Sequence, residues 1–571
     1  MITKPTQIVA ALTVFLAAGC SDKNDDAAAS IDEAPASAVL FKSGANISGV
    51  NGIHFGPDGM LYATSVIGST ISVVDTQAKK IVSEYGPEQG VYGPDDIAFN
   101  SRGDFFWTSI LSGQVAGYLN DGTLVTAAQL GPGVNPITFS DDDRLFVSQC
   151  FFDTGLYEVD PAGAAPARSI RNDLGPGCGL NGMDWGPDGR LYGPRWFNGE
   201  VISVDVDTGE YRTEATGFMV PAAVKFDSRG LLHILDTGTG EVIRREADGR
   251  NTVIAKLSAG LDNFAFDEAD NLFVSSYADG FISKVTSDGV EEVLPGGLSH
   301  PGGLVIHDDK IVIADIQSLR AVDALTADDV WTLRNIFRFA PIGTATAVAN
   351  HGANLLLTSW LDNTVKVLDP SSGEISLSLA NLNIPVSAVK FGDHYAVTLH
   401  GNNTLSLFEE DGSLFSVLSD DFGAPTHVIR DGDGLLVSDR KRGEIVSIDG
   451  SGKRAVLLAG LDSPEGIAVS GETLFIYEGD TGEIKRHDAS GTEVIATLRP
   501  GSPAATPAQP PSMVFNGLAV YEGALFATDE RERAIYRIPL QRCSPRGLSK
   551  TAVCSISHIG HSPMHGYHLN R

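Results

Sequence analysis

The sequence predicts an all-β chain folded as two tandem six-bladed β-propellers. Three observations carry that reading: one motif recurs twelve times, strands of four to six residues alternate in hydrophobicity between Asp-Gly turns, and no long amphipathic helical pattern occurs. Each copy opens with a small or polar pair before a short apolar strand, then has a turn with Asp and Gly, a second strand and two further strands. The clearest copies are Asn51-Gly-Ile-His-Phe-Gly-Pro-Asp-Gly-Met-Leu-Tyr-Ala and Asn181-Gly-Met-Asp-Trp-Gly-Pro-Asp-Gly-Arg-Leu-Tyr-Gly. The opening positions are Asn51, Asp95, Asn135, Asn181, Ala222, Asp262, Gly302, Thr346, Ser387, Thr426, Glu465 and Asn516, spaced about 42 residues apart. Four-stranded units of that length are propeller blades. A ring typically holds about four to eight of them, so twelve divide into six and six.

Composition narrows the partners. The 571 residues carry 72 acidic and 41 basic side chains, a net charge of −31. That charge repels phosphate backbones and anionic surfaces, so nucleic acid is excluded as a partner and cations are favoured. A hydrophobic share of 42% with 20% charged residues marks a globular chain.

Along the chain, residues 1–20 read as an export signal: Lys4 precedes an apolar run from Ile8 to Gly19, too short to span a bilayer as a mature helix. The run ends Leu16-Ala17-Ala18-Gly19-Cys20, which resembles the bacterial lipobox. That resemblance implies cleavage before Cys20, a lipid on its sulfur and attachment to the membrane through it. Ser21 is compatible with sorting to the outer membrane. Residues 21–38, rich in Asp, Ala and Ser, form a solvated tether. The first propeller is expected over 39–290, the second over 291–545, and a tail over 546–571. Val39–Ser43 is a spare strand expected to complete the sixth blade, which frees Glu291–Leu294 to complete the twelfth; a rival outer strand for the twelfth is Ala552–Ile559. Cys150, Cys178, Cys543 and Cys554 remain in an oxidising compartment and allow three pairings. The repeat map sets Cys150 and Cys178 side by side on one face, favouring Cys150–Cys178 with Cys543–Cys554.

The loop entering strand one and the loop leaving strand two lie on the same side of a blade, so the opening positions converge on the axis. Asn51, Asp95, Asn135, Asn181 and Asp262 of the first ring carry oxygen ligands, as a hard divalent cation requires. The same residue types also satisfy turn amides. In the second ring only Glu465 is ionised. Second strands of the first ring end at Ser65, Ser109, Gln149, Arg195, Asp236 and Ser276. Those of the second ring end at Asp315, Ser359, Leu399, Asp439, Glu478 and Asp529. Arg195, beside Trp196, suits a substrate carboxylate or oxyanion, or pairs with a neighbouring carboxylate.

Gly-Pro-Asp95-Asp96-Ile-Ala-Phe and Leu-Asn181-Gly-Met-Asp-Trp-Gly-Pro-Asp-Gly resemble the SMP-30/gluconolactonase family of six-bladed propellers. His300-Pro-Gly-Gly-Leu-Val-Ile and Ser463-Pro-Glu-Gly-Ile-Ala-Val resemble NHL repeats, whose second strands also end in a capping carboxylate. The first resemblance implies a divalent metal on the axis, most often calcium, and opening of lactones. By position Asn181 matches the family's Asn-Gly ligand and Asp262 its later Asp, while Asn51 stands where the family has a Glu.

Two functions are therefore expected. One is a metal-dependent hydrolase of a lactone or ester, with Asp95 or Asp262 as proton acceptor and Arg195 orienting substrate. The other is a non-catalytic scaffold at the periplasmic face of the cell envelope, binding a protein or glycan partner. His300 and His427 near the second axis are candidate bases. His54 and His233 read as structural, and the tail's His558, His561, His565 and His568 read as incidental. The Pro500–Pro511 loop is a candidate lid.

Overall fold

The computed structural model describes residues 38–336, 342–500 and 514–540. The export signal, Cys20, nearly all of the tether, Cys543, Cys554, the tail histidines, the rival strand Ala552–Ile559 and all but the first residue of the Pro500–Pro511 loop lie outside them. Among the described residues no helix is long and apolar enough to cross a membrane.

Twelve antiparallel four-stranded sheets follow one another in sequence order. Blade one is typical: Ile53–Phe55, Leu61–Ser65, Thr70–Asp75 and Lys80–Tyr85. The Pro57-Asp58-Gly59 turn after its first strand holds Gly59 at a φ of 75°, and the Asp58 carboxylate accepts the Met60 amide at 3.1 Å. That is the reason for the repeated Pro-Asp-Gly, since a side chain at this φ would be strained. Burial declines outward. Strand two of blade one is wholly buried, whereas its fourth strand alternates toward solvent. Aromatic and aliphatic residues fill the wedges between blades, with Trp107 packed among Tyr62, Ile71 and Phe105 where blades one and two meet.

Both rings close on themselves. The inner strand of blade one packs beside that of blade six, Leu261–Phe266, around Val50, Ile53, Phe273 and Leu294. Blade seven, opening with Leu304–His307, packs beside blade twelve, opening with Leu518–Tyr521, around Leu304, Ile311, Phe526 and Ile535. The chain is a tandem β-propeller.

Strand exchange corrects the sequence expectation. Val39–Lys42 does not complete blade six; it pairs with Ala534–Pro539 of blade twelve, and Phe41 packs edge-on against Phe526 at 5.0 Å. Blade six keeps Gly289–Leu294 as its own fourth strand. The reason is local. Thr286 and Gly289 are paired across a two-residue turn, so this hairpin forms at small loop-closure cost. Nothing is left for a strand from elsewhere to complete. The start of the folded chain therefore staples the end of the second ring.

A buried ion network joins the rings. Arg320 of blade seven reaches Asp315 at 2.6 Å and Asp279 of the first ring at 2.8 Å, and Arg334 meets Asp279 at 2.8 Å. Tyr277 donates to the Asn335 carbonyl across the same junction.

Phe41→Ala should lower the stability of the second ring by about 2 kcal/mol, a partly exposed aromatic lost from a strand pair. Hydrogen exchange checks it. Protection should fall at Ala534–Pro539 and persist at Gly289–Leu294; the reverse pattern would contradict the strand exchange.

Candidate functional site

Most opening positions in the first ring sit in β-bulges. The ladder slips between Pro94 and Ile97 at Asp95-Asp96, between Val134 and Ile137 at Asn135, and between Leu261 and Phe264 at Asp262-Asn263. A bulge gives two residues where its partner has one and re-aims their side chains, so a carboxylate there escapes the core packing imposed on its neighbours. Hydroxyls on strand two then fix the bulge backbones. Thr64 donates to the Asp95 carbonyl and Thr108 to the Asn135 carbonyl, while the Ser275 hydroxyl accepts the Asn263 amide at 3.0 Å and reaches the Asn51 carbonyl of blade one.

Asp95 and Asp262 face one another electrostatically on this axis. Asp95 is 4% exposed, and its Oδ2 is buried without a hydrogen-bond partner. Burial, then the charges of Asp262 and Asp96, raises its carboxyl well above the usual range. Burial, then Asp96, pushes Asp262 up to about 7, with the Asn51 side chain opposing the rise. Among the described residues neither side chain forms a salt bridge with a cationic residue. Two carboxylates so placed hold a proton or a cation between them.

The other expected ligands divide. The Asn51 carboxamide oxygen accepts the Val66 amide at 3.1 Å, and that of Asn181 accepts the Gly182 amide at 3.1 Å. Each satisfies a backbone donor at a turn with one lone pair of its oxygen. Asn135 is fixed through its carbonyl, as above. Among the described residues no group of three or more His, Cys, Asp or Glu side chains is placed to hold a metal ion. The donor set, two carboxylates beside neutral amide oxygens, fits a cation that keeps several waters rather than an all-protein cage.

Arg195 is engaged by neighbouring groups of its own blade and of the loop before it. Its Nε donates to the Leu174 carbonyl at 2.9 Å, Nη2 to the Gly175 carbonyl at 3.0 Å, and Nη1 to Glu200 at 2.8 Å. It braces the loop that leads to Cys178. Cys150 and Cys178 are joined there, packed with Trp196 and Val220. The alternative of pairing with a neighbouring carboxylate therefore describes Arg195.

Four residues that the sequence did not single out complete the axis. Asp96 accepts the Ile97 amide at 2.9 Å, the Ile137 amide at 3.2 Å and the Asn263 carboxamide at 3.1 Å, so one carboxylate ties blades two, three and six. One level along the strands, Lys225 donates to the Met183 carbonyl and offsets the charges of Asp96 and Asp184. Lys225 is not among the charges that perturb Asp95 or Asp262. The second members of the bulges were the available signal, written in the sequence as Asp95-Asp96 and Asp262-Asn263.

In the second ring, carboxylates at the ends of strand two cap backbone amides. Asp315 accepts the Ser299 amide at 2.9 Å, Asp439 the Ala424 amide at 2.9 Å, and Glu478 the Asp462 amide at 3.0 Å. Glu465 accepts both the backbone amide and the carboxamide of Asn516. His300 lies 3.4 Å from Glu530. His54 and His233 contact the carbonyls of Phe55 and Leu231 along their strands.

Comparison with protein-family models finds no match, and comparison with curated proteins finds none. Among solved structures, a streptogramin B lyase is similar at 16% identity and a TM-score of 0.35, over 48% of this chain and 94% of that one. An extracellular domain described as that of a one-component system from B. thetaiotaomicron is similar at 10% identity and a TM-score of 0.31, over 89% of this chain and 79% of that one. One described as belonging to a hybrid two-component system of B. thetaiotaomicron gives 9% and 0.32, over 89% and 86%. At such scores the architecture rests on the chain's own strand pairing.

The raised carboxyls set a pH dependence. Their folded values lie above the ordinary unfolded value of about 3.9, so the folded state binds more protons and stability falls as pH rises from about 4 to about 7. Asp262→Asn should flatten that slope. Thermal melts in chelator across this range check it, and identical wild-type and Asp262→Asn profiles would contradict it.

Proposed function

We propose that this propeller is a metal-dependent hydrolase of the cell envelope, acting on a lactone or small ester at the axis of the first ring. The observation that carries the reading is the pairing of buried Asp95 with half-buried Asp262, which has no cation to balance it among the described side chains. Asp95 and Asp262 would hold a divalent ion, calcium or magnesium, with Asn135 as the remaining protein ligand. Such an ion supplies the positive charge that polarises a carbonyl. The chain supplies the rest. Bulge backbones pinned by Thr64 at Asp95 and by Ser275 at Asn263 hold the carboxylates in place, and the pair provides the proton acceptor for an attacking water. The gluconolactonase-like copies around Asp95 and Asn181 support the substrate class. The lipobox ending at Cys20 and the Cys150–Cys178 disulfide support an exported, lipid-anchored, periplasm-facing protein.

A non-catalytic scaffold for an envelope protein or glycan is the second reading. It draws support from Asn51, Asn181 and Arg195, whose polar atoms serve the fold.

Titration calorimetry with Ca2+ and Mg2+ at neutral pH tests the proposal. One site is expected, with a proton released on binding, and both features should vanish in Asp95→Asn/Asp262→Asn. Metal-dependent lactone turnover should fall by about a hundredfold or more in that variant. Binding retained by the variant, or turnover that survives it, would overturn the reading.

A further inference from the structure

The two axes differ in chemistry at one register. The inner-strand residue paired three positions before the end of strand two is His54, Thr138, Asp184 and Lys225 in blades one, three, four and five, with Ala98 and Ala265 in blades two and six. In blades seven to twelve the same position holds Val305, Ala349, Val389, Ile429, Ala468 and Ala519. All six line a cavity of about 640 Å3. This volume lies within the usual range of small-molecule sites, about 300–1,000 Å3. Every blade of the second ring contributes to it, so the cavity runs along the axis.

Its two ends differ. At the inner end the Ala347, Val386 and Phe515 side chains cluster, and the His427 ring lies against Phe515 at 4.8 Å. His427 lines the cavity and is 9% exposed. Its Nδ1 accepts the Ile467 amide at 3.1 Å, which leaves the proton on Nε2, and burial lowers its pKa to about 4. Nε2 has no hydrogen-bond partner among the described residues, so a neutral donor stands in an apolar chamber. At the outer end, three residues further along the same strand and therefore about 10 Å away, stands Arg430. Arg430 is exposed, and its guanidinium makes no hydrogen bond or ion pair among the described residues. Lys390, also at this mouth, is engaged by the Asp393 carbonyl at 2.9 Å and lies over the Tyr395 ring.

We propose that the axial cavity of the second ring binds an apolar small molecule that carries a neutral oxygen acceptor at its buried end and a negative charge at its exposed end. The Val, Ile and Ala walls take the apolar body, His427 donates to the acceptor, and Arg430 meets the anion. This reading is independent of the first-ring site. A sugar or a nucleotide does not suit walls of this composition, because its hydroxyls would be buried without partners.

ω-Hydroxydecanoate is the probe, titrated calorimetrically into the full chain beside decanoate and the uncharged diol of the same length. One site is expected, with decanoate weaker by a few-fold and the diol weaker by about tenfold at low salt. Ala349→Phe, which fills the channel, should abolish binding. Arg430→Glu, on an exposed side chain that leaves the core intact, should weaken the hydroxyacid about tenfold and leave the diol unchanged. Absence of saturable binding, undiminished binding in Ala349→Phe, or a hydroxyacid indifferent to Arg430→Glu would each overturn the proposal.

Discussion

A hydroxyl on the second strand of one blade, hydrogen-bonded to the opening carbonyl of the next blade, recurs around both rings and closes each of them. Thr64 reaches Asp95, Thr108 reaches Asn135, Thr398 reaches Thr426 and Ser438 reaches Glu465. The same contact closes each circle, through Ser275 to Asn51 in the first ring and Thr528 to Gly302 in the second. These bonds are buried or partly buried, and four of them satisfy carbonyls in bulges, at Asp95, Asn135, Thr426 and Glu465. They also determine where the opening side chains stand, because a pinned backbone at a bulge leaves the side chain few directions. Ring closure and site geometry thus share one cause.

With the backbone repeated so faithfully, the two axes are free to diverge. The first is ionic: Asp96 ties three blades, Lys225 balances Asp96 and Asp184, and Asp95 with Asp262 remains a charge problem that the described side chains do not solve. The second is apolar below, and above it Glu465 accepts from Asn516 with one carboxylate oxygen while Arg440 stands 3.4 Å from the other. The ionic contacts of Asp279 with Arg320 and Arg334 hold the rings in register, and removing one partner from such a buried group is costly.

Much of this was legible in the sequence because a blade is a local object. Alternating strands, Pro-Asp-Gly turns and a fixed step locate twelve sheets without any long-range information. The Asp315, Asp439 and Glu478 caps follow from the same repetition. What escaped reading was long-range. Val39–Lys42 has the same alternation whichever outer edge it joins, and only the two-residue Thr286–Gly289 turn decides that blade six is already complete. Likewise Arg195, Asn51 and Asn181 have polar ends that suit a ligand or a loop equally. Which one they serve depends on carbonyls and amides such as Leu174, Val66 and Gly182 that composition does not reveal. Asp96 was masked by Asp95, its more conspicuous neighbour at the opening position.

The central claim is that the Asp95–Asp262 pair is the seat of a divalent cation. Crystals grown near neutral pH with Mn2+ and measured at a wavelength where manganese scatters anomalously address it most directly. The account predicts one strong anomalous peak between the Asp95 and Asp262 carboxylates, with waters completing the coordination. A map empty at that position, or a peak only at surface carboxylates, would contradict it.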